Sequence, residues 1–403
     1  MTFGGLLRVG RRGALWAGLL TLAAALSAPR PARAYSWMVT HGYTSCATCH
    51  ADPSGNGVLT AYGRAQGELL LRTQYGAAPE EAGPTAGFLW GALKTPDWLL
   101  LGGGLRAMPL AVKVGSGPTV TSLILMQADL AAEAHSGGFR AAASVGAVTS
   151  SGSAAAVAGN LIAREYWLGY GAEDGSWLLR AGRINLPYGL RIIDHTLYVR
   201  AATQTDINAT QEHGISFAYS GEKLRAEVMG VLGNYQVAPD GYRQRGYSGY
   251  AEWALTGRAA IGASSLVTHA ADDVLLRAAT TRQAHGLFAR WSPFDRLALL
   301  AEADLVLVRP SGAAAQDGVA TMLQADFEAV QGLHFIATGE SNSATQAGGT
   351  SYGGWVAAAW FFAPHADVRI DLMKRAEALG FDGAGATNRL GVLAYMVQGH
   401  VYF

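Results

Sequence analysis

The sequence predicts a mainly β chain: an antiparallel transmembrane β-barrel of about sixteen strands, preceded by a short N-terminal segment of different character. Three observations carry that prediction. From about residue 97 onward, stretches of some ten residues alternate apolar and polar side chains, as strands with one face in lipid and one in water must. The connections between them alternate long and short. The chain then closes on Leu393, Tyr395, Val397, Gly399, Val401 and Phe403, an alternating run with a terminal aromatic.

Composition agrees. Charged residues make up 15% of the 403, against roughly 25% in soluble proteins. The formal net charge is zero, which gives no footing for nucleic acid or another strongly charged partner. Half of the chain is apolar, enough to fill a core or to face lipid.

Residues 1–34 read as a secretory signal peptide. Arg8, Arg11 and Arg12 form a basic start, Ala14 to Ala28 an apolar run, and Ala32-Arg33-Ala34 a cleavage site. The run is short for a spanning helix of about 20 residues. The mature chain is expected to begin at Tyr35, in the periplasm, outside the cell or in the outer membrane.

Residues 35–90 form a second unit. Both cysteines of the chain lie in Cys46-Ala47-Thr48-Cys49-His50. C-x-x-C-H is the c-type haem attachment pattern. Two thiols on one turn can bond both vinyl groups of one haem, which puts the adjacent histidine under the iron. One covalent haem c is therefore expected, held by Cys46 and Cys49 with His50 as the proximal ligand. A redox dithiol and half of a zinc site are the other readings. For the sixth iron position His41 is the first candidate and Met38 the second, with a ligand from the barrel or none as alternatives. Asp52 to Gly57 reads as a turn-rich loop. Val58 to Leu71 reads as a short helix, weakened by Gly63 and Gly67. A unit of this size has a marginal core without a group to bury.

Residues 91–403 carry the barrel. The strand segments fall at 97–108, 119–134, 138–149, 160–171, 175–184, 212–220, 223–233, 246–256, 259–269, 281–291, 296–308, 318–330, 332–341, 350–362, 366–375 and 389–403. In Ile124 to Glu133, one face reads Ile124, Met126, Ala128, Leu130 and Ala132; the other carries Gln127, Asp129 and Glu133. Short turns include Ser220-Gly221-Glu222, Ser292-Pro293-Phe294-Asp295 and Val330-Gln331-Gly332, and the loops between are expected to be long. Both barrel termini then lie on the periplasmic side. Aromatic pairs such as Tyr166-Trp167 and Trp360-Phe361-Phe362 suit interfacial girdles.

The longest connection runs from Asn185 to Gln211. Arg180, Arg183, Arg191 and Arg200 flank it or lie within it, a candidate lumen charge cluster. Such charges tune what passes a pore, or they brace the wall as ion pairs. No general acid, base or nucleophile stands out.

A haem segment followed by one barrel resembles the fused outer-membrane monohaem cytochrome–porins of iron-oxidising bacteria. The matching residues are Cys46, Cys49 and His50, then Tyr62-Gly63-Arg64, then the barrel ending in Phe403. The loop from Pro53 to Gly57 and the pair Ala65-Gln66 depart from that family's pattern. The resemblance implies electron transfer across the outer membrane, between an extracellular donor or acceptor such as Fe(II) and a periplasmic cytochrome, with iron oxidase activity as one form. The rival from another class is a diffusion porin whose haem segment is a plug or tether.

Overall fold

The computed structural model describes residues 37–43, 45–77, 79–147, 161–207, 210–345, 348–381 and 387–403. The expected signal peptide and the start at Tyr35 lie outside them. No helix among the described residues is long and apolar enough to cross a membrane.

Strands make the barrel. In chain order they are β1 (Leu99–Val114), β2 (Thr119–Ser136), β3 (Phe139–Ala147), β4 (Leu161–Ile162), β5 (Tyr166–Gly171) and β6 (Trp177–Ile184). Then come β7 (Glu212–Ser220), β8 (Leu224–Gly233), β9 (Arg245–Thr256), β10 (Ala259–Ala270), β11 (Thr280–Phe294) and β12 (Leu297–Pro310). The last are β13 (Gln316–Val330), β14 (Leu333–Asn342), β15 (Ser351–Ala363), β16 (Ala366–Phe381) and β17 (Thr387–Tyr402). Each pairs antiparallel with its neighbours, and β17 returns to β1, from Gly104↔Tyr402 to Val114↔Val392. β4 and β5 both pair with β3, so they are two parts of one stave. The seventeen segments therefore build a closed sixteen-stave barrel. Closure leaves no edge, the condition for strands to sit in hydrocarbon.

Burial alternates as lipid and lumen require. On β8 Arg225, Glu227, Met229 and Val231 are buried inside, while Val228 and Leu232 are exposed outside. On β12 Leu305 faces out, and the six inward positions from Ala298 to Val308 are each at most 6% exposed. That wall touches packed side chains rather than an open channel.

Two expectations change. The two-faced reading of Ile124 to Glu133 holds only in part. Glu133 is buried and Leu130 exposed, but β1 and β2 slip register at Arg106/Ala107, where Gln127 and Leu125 are the successive partners. One extra residue flips the parity, so Leu123 becomes the lipid-facing residue, 72% exposed, and Ile124 turns away. The loop beyond β12 is also shorter than expected, spanning only 311–315, because the strands run further.

The lumen is filled from two directions. Residues 185–211 connect β6 to β7, as expected, and fold inward around helix α2 (Tyr198–Thr203). Leu190, Ile192, Leu197 and Val199 pack on Tyr250, Phe288, Leu300 and Met322 of the wall. Polar ties fix the backbone: Leu190 N–H donates to Glu302 (3.0 Å), and Tyr198 N–H to Glu340 (2.7 Å). The N-terminal segment fills the end with the short turns. It contains helix α1 (Ala61–Gln66), continued by a wider turn over Gly67–Leu71. Trp37 lies 4.4 Å from the ring of His334, Gln331 donates to the carbonyls of Leu69 and Arg72, and Thr73 N–H donates to Phe361 (2.8 Å).

Candidate functional site

The cysteines sit in the middle of that lumen segment. Ser45 is extended, and Cys46–Thr48 then forms one tight turn. Cys49 and His50 N–H groups both donate to the Cys46 carbonyl, at 3.1 and 2.9 Å. Both thiols and the imidazole therefore leave a single turn. Neither cysteine is in a disulfide, and at 6% and 4% exposure both are buried. Residues 52–57 fold back as a hairpin: Ala51 N–H donates to Val58, and Thr60 N–H to Cys49, each at 2.9 Å. The Thr60 hydroxyl then caps α1 by accepting from Gly63 N–H at 3.0 Å. A Cβ on Gly63 would stand 2.2 Å from the Cys49 carbonyl oxygen, so this glycine lets the helix rest directly on the cysteine turn.

The wall holds the turn electrostatically. Asp52 meets Arg180 of β6 at 2.6 Å, and the same guanidinium meets Glu227 of β8 at 2.8 Å. Burial alone would raise the Asp52 carboxyl, but Arg180 and the Ser54 hydrogen bonds outweigh it and hold it below the usual carboxylate range. Asn56 donates to Glu165 at 3.0 Å. Arg225 points at the Cys46 sulfur, 3.4 Å away, and pairs with Glu252, which also binds Arg290 at 2.7 Å.

His50 faces a cavity of about 180 Å³. Val58 and Leu59 line it from the lumen segment; Gly102, Gly104 and Arg106 of β1, Gln127 of β2, and His400 and Tyr402 of β17 line it from the wall. Gly102 and Gly104 leave that wall bare, and a Cβ on Gly104 would begin to fill the space, 3.5 Å from the Gln127 amide nitrogen. Burial brings His50 down to about 4, against the opposing pull of Asp52 and a hydrogen bond to the Asn56 backbone. The imidazole is thus neutral at pH 7, the form that ligates a metal.

Two thiols and a neutral imidazole, the donor set of a c-type haem, share one turn. Of the three, only His50 borders the cavity, while the Cys46 sulfur packs against Arg225. Arg64 adds a further mark. It is 6% exposed, its Nε and Nη2 are buried without a hydrogen-bond partner among the described residues, and it lies against Gly102. A buried cation without an anion is costly, and a haem propionate is an anion of the right kind. The cavity is smaller than a whole macrocycle, and neither cysteine borders it.

The other expected residues lie elsewhere. His41 Nε2 is 3.0 Å from Glu328 of β13, away from the His50 cavity. Met38 is 1% exposed in the apolar cluster with Trp37, Val39 and both cysteines. The four arginines do not act as one exposed charge cluster. Arg180 is paired as described, Arg200 pairs with Glu302, Arg183 donates to the carbonyls of Ala163 and Arg164, and Arg191 donates to Leu186. They brace the wall and the inward loop. Sequence reasoning missed His400, Arg225 and the orphaned Arg64. Alternation along the last strand does put His400 on the inward face, opposite Tyr395 and Val397.

No family model matches the chain, and no curated protein does. Solved structures do. An anion-selective porin from Comamonas acidovorans aligns with a TM-score of 0.59 at 14% identity, covering 76% of this chain and 99% of that one. OmpT, an outer membrane protein of Vibrio cholerae, aligns with a TM-score of 0.58 at 10% identity, covering 77% and 100%. The outer membrane channel DcaP of Acinetobacter baumannii aligns at 0.54 and 12%, covering 76% and 97%. At such identities the likeness shows the fold alone. The chain has the closed antiparallel β-barrel fold of these porins.

Proposed function

We propose that this barrel is an outer-membrane electron-transfer protein carrying one covalent haem c inside its lumen. The observation that carries the reading is the Cys46–His50 turn, which leaves both thiols and the imidazole buried inside the wall from one turn of chain. When bound, a haem supplies one reversible electron: a donor such as Fe(II) would leave as Fe(III), and a periplasmic cytochrome would be reduced by that same electron. The chain's own residues hold the site. Cys46 and Cys49 supply the thioether sulfurs, and His50 a neutral nitrogen. Arg64 supplies a cation for a propionate, and Asp52–Arg180 fixes the turn to the wall. The N-terminal segment then lies at the periplasmic end, where barrels of this kind place their short turns.

The test is a haem stain and pyridine haemochrome spectrum on denatured outer-membrane fractions from a host that matures c-type cytochromes. A covalent signal at this protein's mass, lost in the Cys46→Ala, Cys49→Ala double variant, is the expected result. A correctly exported wild type without that signal overturns the reading.

A second reading is a diffusion porin with the N-terminal segment as its plug. The likeness to an anion-selective porin and to a channel favours it. The packed inward face of β12 and the paired arginines speak for a closed lumen instead. Single-channel conductance separates the two: a steady open pore supports the porin.

A further inference from the structure

We propose that the lipid-facing surface of β16, β17 and β1 binds a phosphorylated glycolipid of the outer leaflet. Lys113, Lys374 and Arg389 hold its phosphate, and its acyl chains lie in the apolar groove below them. The inference rests on the outer-membrane placement of the barrel, not on the haem. Tyr395 and Val397 of β17 face lipid, 53% and 43% exposed. Leu393, the next residue on that face, pairs with Lys113 of β1 on one side and Lys374 of β16 on the other. Residues directly opposite in antiparallel strands point the same way. Both lysines therefore stand on the lipid side, and both are exposed. The chain has four lysines, so two meeting at one spot is not the mark of a lysine-rich wall. Arg389, four residues before Leu393, shares the face and lies over the Tyr352 ring at 5.3 Å.

The level suits a headgroup. Leu393 stands nine residues before Tyr402. At about 3.3 Å per residue and a tilt of about 40°, that is roughly 23 Å up the wall, close to the top of an apolar band of ~25 Å. The charge suits a phosphate. Two other exposed arginines, Arg245 and Arg309, have Asp240 and Asp317. Arg389 donates only to the Thr350 carbonyl, at 3.2 Å, and among the described residues none of the three cations has a carboxylate partner. The shape suits a seat. Ala376 and Gly391 pair between the lysines and Arg389, and a Cβ on Gly391 would meet open space. Lys113 and Lys374 are two strands apart, about 10 Å, a gap that one phosphorylated sugar head can bridge. An open apolar groove of about 940 Å³ begins just below, bordered by Leu123, Ile370, Leu372 and Tyr395, where Ala111 and Ala358 leave room. Anion-binding side chains above and an apolar slot below match a phosphate-bearing lipid end to end.

The experiment uses full-length protein extracted from outer membranes in mild detergent, with folding checked by heat-modifiable migration. Bis-phosphorylated lipid A is titrated in, beside dephosphorylated lipid A and phosphatidylcholine, and bound lipid is read by native mass spectrometry. Wild type is expected to take up the phosphorylated lipid severalfold better than either control lipid. The Lys113→Ala, Lys374→Ala, Arg389→Ala triple variant should lose that binding severalfold, and so should Ala358→Trp, which fills the groove. Arg309→Ala should match wild type. Equal binding by wild type and the triple variant overturns the inference, as does equal uptake of the dephosphorylated lipid, or a wild type that binds none. Photo-crosslinks from position 372 to a second barrel in place of lipid also overturn it. Recovery of the folded barrel from another cell fraction overturns the outer-membrane reading and this inference together, whatever the haem stain shows.

Discussion

The Asp52 carboxylate of the lumen segment and the Arg180 guanidinium of β6 meet at 2.6 Å, and neither side chain is more than 2% exposed. Arg180 also serves Glu227. Arg180→Met leaves two buried carboxylates without their cation and is expected to cost about 3–5 kcal/mol. Asp52→Ala leaves Arg180 with Glu227 and costs less. Urea unfolding midpoints, with protease sensitivity of residues 37–72, measure both. Equal effects would show that the pair does not hold the segment.

Gly63 is expected to tolerate no side chain. Its Cβ would overlap the Cys49 carbonyl oxygen at 2.2 Å, and both partners are backbone. Gly63→Ala must push α1 off the cysteine turn, a cost of roughly 1–3 kcal/mol. A lower yield of covalent haem and a lower unfolding midpoint are the readouts. Gly76, with nothing near its Cβ position, is the control.

Gly104 gives a graded test. An alanine meets only ordinary contacts there, whereas Gly104→Leu extends into the His50 cavity. Haem content per barrel should stay near wild type in the first and fall severalfold in the second. Equal content in both would place the group elsewhere.

Acid should loosen the site through His365, in the turn between β15 and β16. Burial, then the nearby Arg64 cation, bring its imidazole down from 6.5 to about 4. The folded form then binds fewer protons than the unfolded one between those values, so stability is full above pH 6.5 and falls as pH drops toward 4. The loss is roughly 3 kcal/mol across that window. Denaturation midpoints between pH 7 and pH 4 check it, and His365→Phe should flatten the slope.

Lumen closure rests on two elements, so conductance should show redundancy. The N-terminal segment packs on Ala298, and the 185–211 loop on Leu300 of the same strand. Removing either alone should leave planar-bilayer conductance low, and removing both should open a steady channel. A large pore in the intact protein would contradict the packing.

Much of the barrel was legible because alternation and turn chemistry are local. The connection from Asn185 to Gln211 was bounded correctly since strand alternation stops at Ile184 and resumes at Glu212. The parity flip in β2 was not legible, because one bulged residue leaves the apolar pattern looking continuous. The Cys46–His50 turn announced itself by spacing, but its seat did not. Asp52 finds Arg180, and Asn56 finds Glu165, only after the wall has closed. His400 was hidden for a similar reason: a single histidine in a strand has no pattern until Asp367 and Gly104 are brought beside it. The arginines were noticed as a group, yet each answers a different partner.

The burial of Cys46 and Cys49 also sets an order of assembly. At 6% and 4% exposure, behind a wall whose first and last strands are zipped together, neither sulfur is within reach of a maturation enzyme once the cylinder has formed. On the haem reading, a group bonded to them would have to be attached while the N-terminal segment is still a free tail. The insertion machinery would then receive a substrate whose cargo is already attached, and closing the seam between β1 and β17 would make the attachment permanent.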